Sequence, residues 1–103
     1  MAAGPGVYTV EDRPADGEVV HAMEHGYVVI WYVPDLPARQ VEALRRVAAR
    51  YRRDVLVVPR PGMPVPLGAT AWHRRLLCQE PDTAALEGFV AEFRNKGPER
   101  IPH

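Results

Sequence analysis

Two histidines and a glutamate fall within five residues, His21-Ala22-Met23-Glu24-His25, the densest set of metal-capable or acid–base side chains in the sequence. Their spacing decides what they can do. On an α-helix His21 and His25 stand one turn apart, about 6 Å along the axis and on one face, and two imidazoles so placed can share a metal ion. On a strand they would lie about 13 Å apart and could not. Gly26 follows directly, and glycine in that place commonly ends a helix. The helix reading is therefore preferred, and a helix C-terminus carries partial negative charge that favours a nearby cation. Glu24 can act as a third ligand, a base, or a partner that orients a liganded ring. Met23 projects to a different side and is assigned to the core. His-x-x-Glu-His is also the spacing of the inverted zincins, in which two histidines bind zinc and the glutamate activates water. That pattern is short, and 103 residues leave little room for a peptide cleft, so a small metal-dependent hydrolase ranks third among the functional readings.

Two histidines alone bind weakly, so a further donor is sought downstream. His73 and Met63 come first and Cys78 after them. The expected metal set is His21, His25 and Glu24 with Met63 and His73, and the expected metal is copper or zinc. A thioether in the set suits Cu(I). Each residue also has a plainer role. The imidazoles can hydrogen-bond backbone groups and cap the helix end. Met63 can cover the core, His73 can be a solvated strand-end residue, and Cys78 can be a small buried hydrophobe. The first reading is a transition-metal-binding protein. The alternative is a structural or protein-interaction domain in which the histidines brace the fold. No catalytic residue is assigned, and a binding role is favoured over an enzymatic one.

The elements that must position these residues can be read in order. Residues 1–17 carry Gly4, Pro5, Gly6, Pro14 and Gly17 and read as an arm, with a short edge strand at Val7 to Val10. Asp16 suits an N-cap, which gives a short helix from Glu18 to His25. Tyr27 to Val33 is apolar on both faces and rich in β-branched and aromatic residues, as a central strand covered on both sides would be. Val29, Ile30 and Trp31 are accordingly expected to be buried. Asp35 and Pro37 start a helix over Ala38 to Arg53, with Val41, Leu44, Val47, Ala48 and Tyr51 on one stripe. Val55 to Val58 is a strand, and strand–helix–strand predicts a parallel, right-handed crossover. Residues 59–66 hold four prolines and a glycine and form a rigid loop around Met63. Leu67 to Cys78 is a strand or bent hairpin, with Gly68 and His73-Arg74-Arg75 marking a bulge or turn. Asp82 caps a last helix, where Leu86, Phe89, Val90 and Phe93 recur at helical spacing. Gly97-Pro98 ends it.

The order after Gly26 is β-α-β-β-α. It predicts an α/β, or α+β, two-layer sandwich with a small mixed sheet, and it permits a thioredoxin-like arrangement. The loop after the first strand, where a redox pair would sit in such a fold, is Pro34-Asp35-Leu36-Pro37. The chain divides into the arm over 1–17, one globular domain over 18–97 and a tail over 98–103.

Composition excludes several classes. The formal net charge is +0 and the pI is about 6.9, so no overall field draws nucleic acid or an anionic membrane. Arg39, Arg46, Arg50 and Arg53 line the polar face of the long helix, but Glu42 interrupts them and no aromatic residues interleave, so they read as a solvated face. A single cysteine, Cys78, rules out an internal disulfide. No run approaches the ~18 apolar residues of a membrane span, and Met1 to Gly6 is not a signal peptide. The chain as given is expected to be cytoplasmic unless an export segment precedes it. A homodimer is possible, and no partner protein can be named.

The stretch His21-Ala22-Met23-Glu24-His25-Gly26-Tyr27-Val28-Val29-Ile30-Trp31-Tyr32 resembles the signature of a bacterial family known as domain of unknown function 3105. The resemblance runs from about Gly6 to the end of the last helix. It takes in Gly6-Val7-Tyr8, the Pro61 to Met63 loop, the Ala71-Trp72 pair and the Phe-rich closing helix. Typical members have an upstream Pro/Ser/Gly-rich motif ending in another histidine, often behind a membrane anchor or in an exported protein, and the sequence as given does not include it. They commonly have glycine where this chain has His73. The resemblance implies no established activity.

Overall fold

The computed structural model describes residues 6–51, 53–79 and 83–94. Its centre is strand β2 (Val28–Tyr32). On one side β2 pairs in parallel with β3 (Val55–Pro59), and on the other it pairs antiparallel with β4 (Leu67–Ala71). β1 (Gly6–Val7) adds to β3 in parallel, and β5 (Arg74–Cys78) closes the far edge antiparallel to β4. The sheet order is β1-β3-β2-β4-β5. Helix α2 (Ala38–Arg50) connects β2 to β3 as the expected crossover, and α3 (Thr83–Phe93) follows β5. This is a mixed α/β fold with the β-α-β-β-α order expected after Gly26. Its three parallel strands and antiparallel hairpin are compatible with the thioredoxin-like arrangement.

Helices lie on both faces of the sheet. On one face α2 and α3 cover a core that includes Val28, Ile30, Leu44, Val47, Val55, Val57, Leu67, Ala69, Cys78, Leu86 and Phe89. Alternation along the strands sends the other residues to the opposite face. There helix α1 (Asp16–Glu24) sets Val19 and Ala22 against Val29, Leu56 and Val58. Val29 and Ile30 are fully buried, but Trp31 is only partly so. The expectation for Trp31 fails because α1 covers β2 and β3 and stops short of β4.

Local details correct several boundaries. The N-cap of α1 is Ala15 rather than Asp16. Alanine offers no side-chain acceptor, and the Glu18 carboxylate instead accepts the Ala15 backbone N–H at 3.0 Å. That is the glutamate half of a capping box. The N-cap of α2 is Pro37 rather than Asp35, and the helix ends at Arg50. The edge strand is shorter than expected, two residues only, yet it places part of the stretch read as an arm inside the sheet. Leu67 to Cys78 is a hairpin that turns at Trp72 and His73. Gly68 forms no bulge. It lies in register between Trp31 and Leu77, and a Cβ there would come within 2.9 Å of the Leu76 carbonyl oxygen. Phe89 and Phe93 meet at 4.8 Å between ring centroids. Glu87 and Arg94 reach across to α2 and its end. Arg50 binds Glu87 at 2.6 Å, while Arg94 binds the buried Asp54 at 3.1 Å and stacks over Tyr51. Asp82, Gly97 and Pro98 lie outside the described residues.

Two predictions follow from this packing. Ile30→Ala, which empties a fully buried site in the larger core, should cost about 2–5 kcal/mol in a denaturant titration, and Trp31→Ala should cost less than Ile30→Ala. The second concerns Tyr32, whose hydroxyl donates to the Tyr8 carbonyl at 2.9 Å. Burial, more than any nearby charge, raises its pKa above the ordinary phenol value of 10.0. The folded protein thus holds this proton to higher pH than the unfolded chain does. The contribution to stability is complete below pH 10.0 and is lost as pH rises through the folded value. Urea midpoints measured across the alkaline range should fall less steeply in Tyr32→Phe, with the remaining slope partly due to Tyr8, which burial shifts the same way.

Candidate functional site

The histidine pair sits on the last turn of α1, and the way that helix ends fixes its position. Gly26 adopts φ +90°, a left-handed conformation that glycine takes without a Cβ penalty. The Tyr27 N–H then donates to the Ala22 carbonyl at 3.1 Å and the Gly26 N–H to the Met23 carbonyl at 3.0 Å. Together these bonds form the Schellman motif. Tyr27 also packs against the apolar cluster that contains Ala22. The expected glycine stop is therefore real, and it turns the chain straight from the helix into β2.

Within that turn the rings of His21 and His25 come together. Their centroids are 4.6 Å apart and the ring planes cross at 77°, edge to face. Both residues are half-buried, so the pair is open to solvent on one side and supported by the helix on the other. The His25 N–H donates to both the His21 and Ala22 carbonyls, at 3.3 and 3.0 Å. Glu24, also half-buried, lies three residues after His21 and adds a negative charge at a helix end that is already partly negative.

The other expected ligands stand elsewhere. Among the described residues, no three His, Cys, Asp or Glu side chains are grouped so that they could hold a metal ion. Neither Glu24, His73 nor Cys78 therefore completes a three-ligand set with the pair. His73 is exposed in the β4–β5 turn and its ring stands edge-on to Trp72 at 4.9 Å. Its φ is +63°, a conformation uncommon for residues other than glycine. Cys78 is buried in the larger core. Met63 lines an open apolar groove of about 260 Å³ with Met23, Trp31, Arg60, Pro64, Val65, Thr70 and Leu77. Met23, assigned to the core from sequence, does pack on the α1-side cluster, but it also forms one wall of this groove. Neither histidine is among the groove's lining residues.

A second, polar cavity of about 190 Å³ lies among Arg50, Tyr51, Arg53, Asp54 and Arg94. Its arginines gather where α2 and α3 end, and cations are favoured at helix C-termini. Glu24 lines neither cavity. The groove went unread in the sequence because its residues come from five segments. The one available signal was the alternation of Trp31 and Leu77 onto the α1 face.

A family model described as a protein of unknown function, DUF3105, matches residues 2–102. No curated protein and no solved structure matches the chain.

The turn geometry carries a prediction. His73→Gly should relieve the left-handed conformation and raise stability by about 1 kcal/mol in urea or thermal unfolding. A loss of stability would mean that the contact with Trp72 outweighs the backbone strain.

Proposed function

Because the chain belongs to the DUF3105 family of proteins of unknown function, its role has to be read from its own side chains, and we propose that it binds a transition metal, copper or zinc, at His21 and His25. The observation that supports this reading is the contact of the two rings, 4.6 Å between centroids, on one turn of a helix whose end is locked by the Gly26 motif. The two rings are already neighbours, and rotation of the side chains would turn both imidazoles toward one ion. The helix end and Glu24 favour a cation there.

The donor chemistry narrows the choice of metal. Met63 lines the groove, where neither histidine is a lining residue, so the reading rests on the two imidazoles and not on a thioether. Two imidazoles with oxygen donors suit Cu(II) or Zn(II). This chain offers two nitrogen donors, and the remaining positions fall to water, to Glu24 after a side-chain rotation, or to a donor from another molecule. A structural or interaction domain is the second reading, and the apolar groove favours it.

The test is a competition titration of chelator-treated protein with Cu(II) and Zn(II). Binding tighter than millimolar is expected, absent from the His21→Ala, His25→Ala double variant and retained in His73→Gly and Met63→Leu. Affinity should weaken as pH falls, because protons compete for the imidazole nitrogens. Binding weaker than millimolar, or unchanged in the double variant, would transfer the histidines to a bracing role.

A further inference from the structure

The two faces of the sheet are covered unequally. The cluster beneath α2 and α3 draws residues from β2, β3, β4 and β5. The cluster beneath α1 draws its strand residues from β2 and β3 alone. Among the described residues, no helix covers the part of the α1 face above β4 and β5. Its floor is a row set by strand register, Trp31 beside Gly68 beside Leu77. Adjacent strands lie about 4.8 Å apart, so Trp31 and Leu77 stand roughly 9.6 Å from each other. Glycine at the middle position keeps the floor low there, with the Leu77 side chain leaning toward it, 3.5 Å from where a Cβ would stand. Met23 walls this trough on the α1 side, and Met63, Pro64 and Val65 wall it at one end. The Trp31 indole N–H is satisfied by the Thr70 hydroxyl at 2.8 Å, so the floor presents carbon rather than an unmet donor. Leu77 is 49% exposed and Val20 is 45% exposed. Val20 precedes Met23 by three residues and so shares its flank of α1. Apolar surface gathered in this way marks an interaction site.

We infer that this trough docks an amphipathic helix of a partner protein, one that carries acidic residues beside its apolar stripe. The part of the α1 face over β4 and β5 is two strand spacings wide, roughly 9.6 Å, which one helix of about 10–12 Å diameter would cover. The volume of about 260 Å³ is below the roughly 300–1,000 Å³ typical of small-molecule pockets, and it suits a few inserted side chains. Methionine walls adapt to such a ridge.

Charge gives the partner its sign. Among the described residues, the charged one lining the groove is Arg60, with its guanidinium 5.3 Å from the Trp31 ring centroid. Arg75 is exposed two residues from Leu77, on the same face of β5. Arg60 and Arg13 share a single carboxylate, Asp16, at 3.5 and 3.8 Å. A second copy of the chain fits poorly, since an isologous contact would set the same arginines from both copies against one apolar seam. The groove contains neither histidine, so this inference stands apart from the metal proposal.

The probe is a synthetic peptide of about 16 residues, roughly 24 Å as a helix, with leucines at i, i+3, i+4 and i+7 and glutamates flanking them. It is titrated into the full chain, followed by the Trp31 indole N–H resonance and by calorimetry. Saturable binding below millimolar is expected, at least about tenfold weaker with the leucines scrambled and with Leu77→Asp. Arg60→Glu should weaken it too, and a lysine-flanked peptide should regain affinity for that variant. Met63→Glu, in a loop, gives an independent test should Leu77→Asp fold poorly. Several outcomes overturn the inference: no shift at millimolar peptide, indifference to Leu77→Asp or Met63→Glu, or equal binding by a proline-broken peptide that cannot form a helix. Self-association in light scattering that Leu77→Asp abolishes would do the same, by giving the trough to a second copy.

Discussion

Everything in this fold refers to the double pairing of β2. Its backbone donors and acceptors are used on both edges, in parallel with β3 and antiparallel with β4. A strand held that way has no freedom to slip, because a shift of one residue would send Val29 and Trp31 to the α2–α3 face and Val28 and Ile30 to the other. The fixed strand determines where α1 must end, since only His25, Gly26 and Tyr27 separate the helix from Val28. The position of the histidine pair is thus inherited from sheet register through one glycine with a left-handed backbone.

That chain of dependence explains what could be read in the sequence. Gly26 announced a helix end because its effect is local, and the stop it predicted is present with both of its hydrogen bonds. The run from Tyr27 to Val33 announced a central strand because few other elements tolerate so many consecutive apolar residues. The alternating Phe-rich stripe of α3 was equally plain. Trp31 was misjudged because its exposure depends on how far α1 extends across the sheet, which no periodicity encodes. The caps at Ala15 and Pro37 were missed because Asp16 and Asp35 are the better capping residues by type. In α1 the chain instead satisfies the helix start through Glu18. Of the expected ligands, His21 and His25 came together because one helical turn relates them. His73 and Met63 depended on tertiary placement, which the sequence does not show.

The remaining edge of the sheet is guarded. β5 ends the sheet next to the open trough, and it begins with Arg74 and Arg75, both exposed. Charged side chains on an edge strand discourage pairing with strands of other molecules. Arg74 also lies over the Phe93 ring at 5.7 Å, so its stem covers the end of the larger core while its charge protects the edge. An apolar floor can then coexist with an exposed strand without making the edge a general template for aggregation.

The connection between β3 and β4 has a consequence for how such a domain can change over time. Because β4 runs antiparallel to β2 and β3, the chain leaves β3 and enters β4 at the same end of the sheet, and no crossover is required. Both ends of the connection are tied to the end of β2, with the Arg60 N–H on the Tyr32 carbonyl at 2.8 Å and the Val33 N–H on the Pro66 carbonyl at 3.1 Å. Its length is therefore nearly free of register, and closing a longer loop adds only about 0.6 kcal/mol per doubling. An insertion between those anchors would emerge directly above the β4–β5 half of the sheet. Through this connection the domain could complete the partial cover that α1 gives that face, exchanging an open surface for a closed one without altering a strand.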